Sequence, residues 1–175
     1  MPAENHRTDF LIRAAAAADA SVLSALALRS KAHWGYDNDF MMLCRDELSW
    51  RAEDIQSENS DVQCWVRGDE LLAFYALERI DAHVMELEAL FVEPRHIGTG
   101  VGRIMIEHAK CRAIAARVTR ILIQGDPHAE AFYLAIGALP CGTRESVSVP
   151  GRHLPLFEIG LDEQSGETDR DDDRN

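Results

Sequence analysis

Pro94-Arg95-His96-Ile97-Gly98-Thr99-Gly100-Val101-Gly102-Arg103 is the stretch that decides the fold. It follows Val84–Val92, whose residues predict a strand, and it opens a run that predicts a helix over Gly100–Val118. Glycines at positions 98, 100 and 102 leave backbone N–H groups uncovered by side chains. The first turn of a helix adds unpaired N–H groups and a partial positive charge. Together these bind a phosphate or pyrophosphate. Two common phosphate loops do not fit. A P-loop requires Gly-x-x-x-x-Gly-Lys-Ser/Thr, and neither the Lys nor the Ser/Thr is in place. A dinucleotide fingerprint requires Gly-x-Gly-x-x-Gly and an acid about 20 residues on. The spacing here is Gly-x-Gly-x-Gly, and Leu122 stands where that acid would be.

A different pattern fits. Arg95-His96-Ile97-Gly98-Thr99-Gly100 matches Arg/Gln-x-x-Gly-x-Gly/Ala. Downstream, the apolar Ile121-Leu122-Ile123 predicts a buried strand, followed by Asp126-x-x-Ala129-x-x-Phe132-Tyr133-x-x-x-Gly137. These two motifs, in this order and at this separation, resemble those of the GCN5-related N-acetyltransferase (GNAT) superfamily. The resemblance covers residues 8–161. Two positions depart from the pattern: Ile97 stands where many members carry Arg, and Asp126 replaces the usual Asn.

The resemblance implies an α/β (α+β) fold, a mixed, mostly antiparallel central sheet flanked by helices. It also implies acetyl-CoA as cosubstrate. Arg95, His96, Gly98, Thr99, Gly100, Val101, Gly102 and Arg103 would then meet the CoA phosphates. Leu90, Phe91 and Val92 would meet the pantetheine arm through their backbone, with the Leu90 N–H on the thioester carbonyl. Asp126 would lie near the cofactor thiol. Arg95 and Arg103 read equally well as ordinary surface charges.

Acyl transfer from a thioester needs a deprotonated amine, a stabilised carbonyl oxygen and an acid for the departing thiolate. Tyr133, at the family's motif position, is the candidate acid, because a phenol stays protonated above the pKa of a thiol. Read without the family, it is a core aromatic beside Phe132. Strand alternation puts Glu86 and Glu88 on one face with Leu90 next. Carboxylates on a central strand are costly unless wet or paired. Glu86 aligns with the base of some family members, and Glu88 is the second candidate. Either reads also as a structural or substrate-orienting carboxylate, and many members use no dedicated base.

Composition narrows the rest. The chain has 175 residues and a net charge of −12, which disfavours nucleic acid as a partner. Residues 162–175 hold seven acids against two arginines and no hydrophobic anchor, so they are expected to form a disordered tail behind one domain spanning 1–161. No apolar run suits a membrane span. Cys44, Cys64, Cys111 and Cys141 are widely spaced and the histidines scattered, which predicts no metal site and a reducing, cytoplasmic setting.

The acidic body suits a cationic substrate, and the partner expected is a small-molecule or peptide amine. A homodimer is compatible with such a chain. Arg29–Tyr36, rich in aromatic and basic residues, would border the acceptor site, faced by Pro150–Pro155, or simply pack a helix–helix turn. His108 is expected to be a hydrogen-bonded core histidine, on an apolar helix side with Ile104 and Cys111. The expectation is an N-acetyltransferase. The alternatives are a non-catalytic acyl-CoA-binding sensor of the same fold and a nucleotide-binding regulator.

Along the chain, strands are expected at Thr8–Arg13, Val62–Arg67, Leu71–Ile80, Cys141–Val149 and Leu154–Leu161. Gly68-Asp69 marks a hairpin. Helices are expected at Ala20–Ala32 behind Asp19, from Asp37-Asn38 through Glu47, at Arg51–Gln56 and at Ala129–Ile136.

Overall fold

Gly68-Asp69 forms the hairpin that starts the sheet, with Arg67 opposite Glu70 on the strands it joins. The computed structural model describes residues 10–161; the segment 162–175 lies outside the described residues. Seven strands form one sheet: β1 (Phe10–Ala14), β2 (Ser60–Arg67), β3 (Glu70–Arg79), β4 (Val84–Val92), β5 (Arg120–Gln124), β6 (Leu139–Glu145) and β7 (His153–Gly160). Their order is β1-β2-β3-β4-β5-β7-β6. Every pairing is antiparallel except β4 with β5. A parallel pair needs a crossover, and α4 (Val101–Ala115) supplies it.

The helices divide between the two faces. On one face α4 and α5 (Glu130–Ala135) cover Tyr75, Leu77, Met85, Leu87 and Phe157. On the other, α1 (Ala20–Ala32), α2 (Asn38–Leu43) and α3 (Ala52–Ile55) cover Phe74, Ala76, Ala89 and Cys64. Phe74, Tyr75 and Phe157 are fully buried. Each such side chain is worth roughly 1.5–3 kcal/mol in transfer from water.

Local chemistry explains the boundaries. Asp37 caps α2 by accepting from the Phe40 N–H at 2.8 Å. That helix ends at Leu43 and continues as turns, short of the expected Glu47. Asp19 precedes α1 but does not cap it; its carboxylate accepts from the Ala16 N–H and from Arg13 at 2.7 Å. The long helix stops at Ala115 rather than Val118, because Arg117 turns the chain with φ of 60°. Its buried side is Val101, Met105, Ile106, Ala109 and Ala113. Ile104 and Cys111, expected on that side, are exposed. His108 does have the expected partner, the Tyr75 hydroxyl at 2.9 Å. No helix among the described residues is long and apolar enough to cross a membrane.

Candidate functional site

The glycine-rich loop is a tight sequence of turns leading into α4. Gly98 and Gly100 have φ of 79° and 94°, the left-handed region where a side chain is strained. The His96 N–H bonds to Glu93 O, the Ile97 N–H to Pro94 O and the Thr99 N–H to His96 O. The Thr99 hydroxyl also bonds to His96 O, at 2.7 Å. Those groups build the turn. The N–H groups of Gly98, Gly100, Val101, Gly102 and Arg103 have no backbone partner among the described residues. His96 Nε2 is buried and likewise unpartnered.

Gly102 has a packing reason as well. A Cβ there would lie 3.1 Å from Phe132 Cζ, so the missing side chain lets α5 close on α4. Arg103 reaches the Ala135 carbonyl at 3.4 Å, and Arg95 pairs with Glu70.

β4 and β5 part company beside this loop. Their pairing runs from Val84 opposite Arg120 to Leu87 opposite Ile123 and ends there, while β4 continues to Val92. β5 keeps its other edge on β7 throughout, from Arg120 opposite Gly160 to Gln124 opposite Leu156. One edge of Glu88–Val92 is therefore left without a strand partner. The Glu93 N–H bonds to Leu72 of the neighbouring β3. Antiparallel alternation then turns the Leu90 and Val92 N–H groups away from β3, toward the gap. The Val92 N–H meets Ser30 Oγ there at 3.4 Å.

A bulge sits at the same place. Ala89 lies opposite Ala76 and Leu87 opposite Leu77, so Glu88 is an extra residue on β4. The insertion switches the faces. Met85 and Leu87 belong to the α4 side, and beyond the bulge Leu90 and Val92 take that side while Ala89 and Phe91 face α1. Leu90 is thus not next to Glu86 and Glu88 on one face, as strict alternation predicts.

Tyr133 stands at the end of β5. It is buried, tilted against Phe157 with ring centroids 5.5 Å apart. Gly125 makes room for it: a Cβ there would be 3.1 Å from Tyr133 Cε2 and 2.9 Å from Phe157 Cε2. Burial first, and the charge of Asp126 second, push its phenol above the ordinary value.

On the α1–α3 side, Glu86 and Glu88 line a cavity of about 750 Å³ with Glu78, Trp50, Gln124 and Leu154. Glu86 is buried and paired with Arg144, Nη1 to Oε1, at 2.5 Å. Glu88 has no such partner among the described residues. Its side chain keeps solvent contact, yet partial desolvation raises its pKa to about 7, reinforced by the charges of Glu86 and Glu78 and opposed by Arg144.

Asp126 is engaged from across the chain. Lys31 Nζ lies 2.6 Å from it, and the Tyr36 hydroxyl donates at 2.9 Å. Burial, the largest single influence, opposes its ionisation, but Lys31, the His128 N–H and Tyr36 together outweigh it and hold its pKa below the usual carboxylate value. Tyr36 is pushed up to about 12 by burial and by Asp126. Arg152 donates to the Tyr36 oxygen at 2.8 Å and lies over Phe40. Trp34 stacks on His128, 5.5 Å between centroids. Arg29–Tyr36 and Pro150–Pro155 do face each other, through Arg152 and Tyr36.

Sequence reasoning missed Glu78 and Arg144, and reached Lys31 only as part of Arg29–Tyr36. Glu78 had a signal, since counting back from the Asp81–His83 turn sets it opposite Glu86.

Against known proteins, the model of the Acetyltransferase (GNAT) family matches residues 27–138, more than half of the chain. The chain belongs to the GNAT acetyltransferase family. Among curated proteins, it is 33% identical over 73 residues to the peptidyl-lysine N-acetyltransferase YjaB of Escherichia coli. That match covers 42% of this chain and 48% of the relative, so the chain spans about half the length of the curated relative it matches.

Two solved structures show the same fold. A GCN5-related N-acetyltransferase from Rhodopseudomonas palustris gives a TM-score of 0.70 at 17% identity, covering 86% of this chain and 95% of that one. The PaiA N-acetyltransferase from Thermoplasma acidophilum, solved in complex with coenzyme A, gives 0.65 at 13% identity, covering 87% and 99%. The expected mixed, mostly antiparallel sheet flanked by helices is the fold observed.

Proposed function

We propose that this GNAT member is an acetyl-CoA-dependent N-acetyltransferase that passes acetyl directly to a primary amine, working as one domain over residues 1–161. The observation that carries this reading is the parting of β4 from β5 beside a loop of uncovered N–H groups. The residues present fit the cosubstrate. N–H groups at 98 and 100–103 are free for the pyrophosphate, helped by the N-terminus of α4. The unpaired edge of Glu88–Val92 is free for the amide-rich pantetheine arm.

Each chemical step then has a residue. The amine arrives as an ammonium through the cavity, and Glu88, whose pKa of about 7 suits a base near neutrality, takes one proton. Nitrogen attacks the thioester carbon, and the carbonyl oxygen becomes an oxyanion held by the Leu90 N–H. Collapse forms the amide and breaks the C–S bond. Tyr133 gives its proton to the leaving thiolate and recovers one from the product nitrogen, directly or through water. Glu86, held by Arg144, orients rather than accepts protons.

The test has two arms. Acetyl-CoA should raise the melting temperature, since a ligand selective for the folded state stabilises it. A panel of primary amines should release free CoA. A thermal shift without transfer to any amine would instead mark an acyl-CoA sensor. A shift with ATP or NAD and none with acetyl-CoA would overturn both.

A further inference from the structure

We infer that the acceptor is a small, extended amine carrying at least two positive charges; this rests on the transferase reading above. The cavity against β4 has two acidic sides. Glu78, Glu86 and Glu88 rise from the sheet, and Asp46, Glu47 and Asp54 come from α3 and the turns before it. Among the described residues no Lys, Arg or His lines it. Among the described residues only Glu86 of these six has a cationic side chain within ion-pair distance. Glu47 accepts from the Ser148 hydroxyl and Asp54 from the Arg51 N–H, neither of them a cationic side chain. Like charges around one cleft focus cations into it.

The chemistry decides how many charges the ligand brings. The nitrogen that reacts must lose its proton before it attacks, so it cannot stay as a counter-ion. Only a second ammonium, distant from the reacting one, remains to pair with Asp46, Glu47 and Asp54. The same wall includes Leu43, Trp50, Val147 and Leu154, apolar surface suited to a methylene spacer. A single lysine side chain presents one ammonium and spends it in the reaction. The arrangement therefore favours a diamine or polyamine over a peptide whose lysine is its only cation.

The experiment compares 1,5-diaminopentane, spermidine, 5-amino-1-pentanol and a short neutral peptide with one lysine, each with acetyl-CoA, by release of free CoA. The diamine should exceed the amino alcohol in kcat/KM by on the order of tenfold, with the ratio shrinking as salt rises. In the triple variant Asp46→Asn, Glu47→Gln, Asp54→Asn the ratio should fall toward one. The acetyl-CoA-induced thermal shift checks that the variant is folded. A wild-type ratio near one, or preference for the peptide, would overturn the inference while leaving the transferase reading intact. If no probe is acetylated although acetyl-CoA binds, the transferase reading fails. Calorimetric titration of spermidine into the CoA-loaded protein then decides the charge inference alone. Binding lost in the triple variant supports it, and no binding overturns it.

Discussion

Arg144 Nη1 lies 2.5 Å from Glu86 Oε1, while Glu88, two residues on, has no cationic partner among the described residues. Glu78 and Glu86 face each other across β3 and β4, a like-charge pairing that a sheet tolerates poorly. Arg144 answers one of the two. Replacing it by Met should leave a buried carboxylate unpaired and cost about 1–3 kcal/mol. It should also raise the pKa of Glu88 further, because Arg144 is the group that lowers it. The acid limb of the pH–rate profile should then move to higher pH. Chemical denaturation and a kcat/KM profile read the two effects separately.

Glu88 itself makes a pH prediction for stability. Its pKa is raised from 4.5 to about 7, so the folded protein holds this proton more tightly than the unfolded chain. Its stabilising contribution is complete below about 4.5 and is lost as pH rises through about 7. Glu88→Gln should therefore melt higher than the parent at pH 8, with the difference closing by pH 5. The same variant should lose the rise in kcat/KM through neutrality. A melting difference constant across this range would show that Glu88 does not titrate there.

Tyr133→Phe keeps the ring against Gly125 and Phe157 and removes only the hydroxyl. The acetyl-CoA thermal shift should persist while kcat falls on the order of 10²–10⁴-fold. Donors with a better leaving thiol should narrow the deficit. Unchanged kcat would leave Tyr133 a packing residue.

Gly125→Ala tests the placement of that ring without touching its chemistry. The new methyl would meet Phe157 at 2.9 Å and Tyr133 at 3.1 Å, both in a buried cluster with little room to give. A stability loss of about 1–3 kcal/mol is expected from overpacking. The fall in kcat should be larger than any loss of acetyl-CoA binding.

Much of this was legible in the chain because local rules governed it. β4 begins at Val84 and ends at Val92, and α1 spans Ala20–Ala32, as apolar spacing predicts for both. The hairpin at Gly68-Asp69 and the left-handed glycines of the loop follow from turn chemistry. The bulge at Glu88 does not, since it is a relation between β4 and β3 that neither strand spells alone. For the same reason the pairings of Arg144 and Lys31 are not legible in the chain: their partners lie 58 and 95 residues away. Asp126 matched a family position, yet the contacts that engage it come from α1 and the turn after it.

The contacts of Asp126 also bear on how rigid the split between β4 and β5 is. The two strands share a ladder of only four residue pairs, so backbone bonding does not fix how far their ends spread. Lys31 and Tyr36 reach Asp126 from the amino-terminal half, and Arg152 joins Tyr36 from the carboxy-terminal half. The molecule thus behaves like a clothes-peg whose jaws are set by a polar clasp rather than by its spring. Because Lys31, the His128 N–H and Tyr36 hold Asp126 below the usual carboxylate pKa, mild acid should leave the clasp in place even where Glu88 takes up a proton.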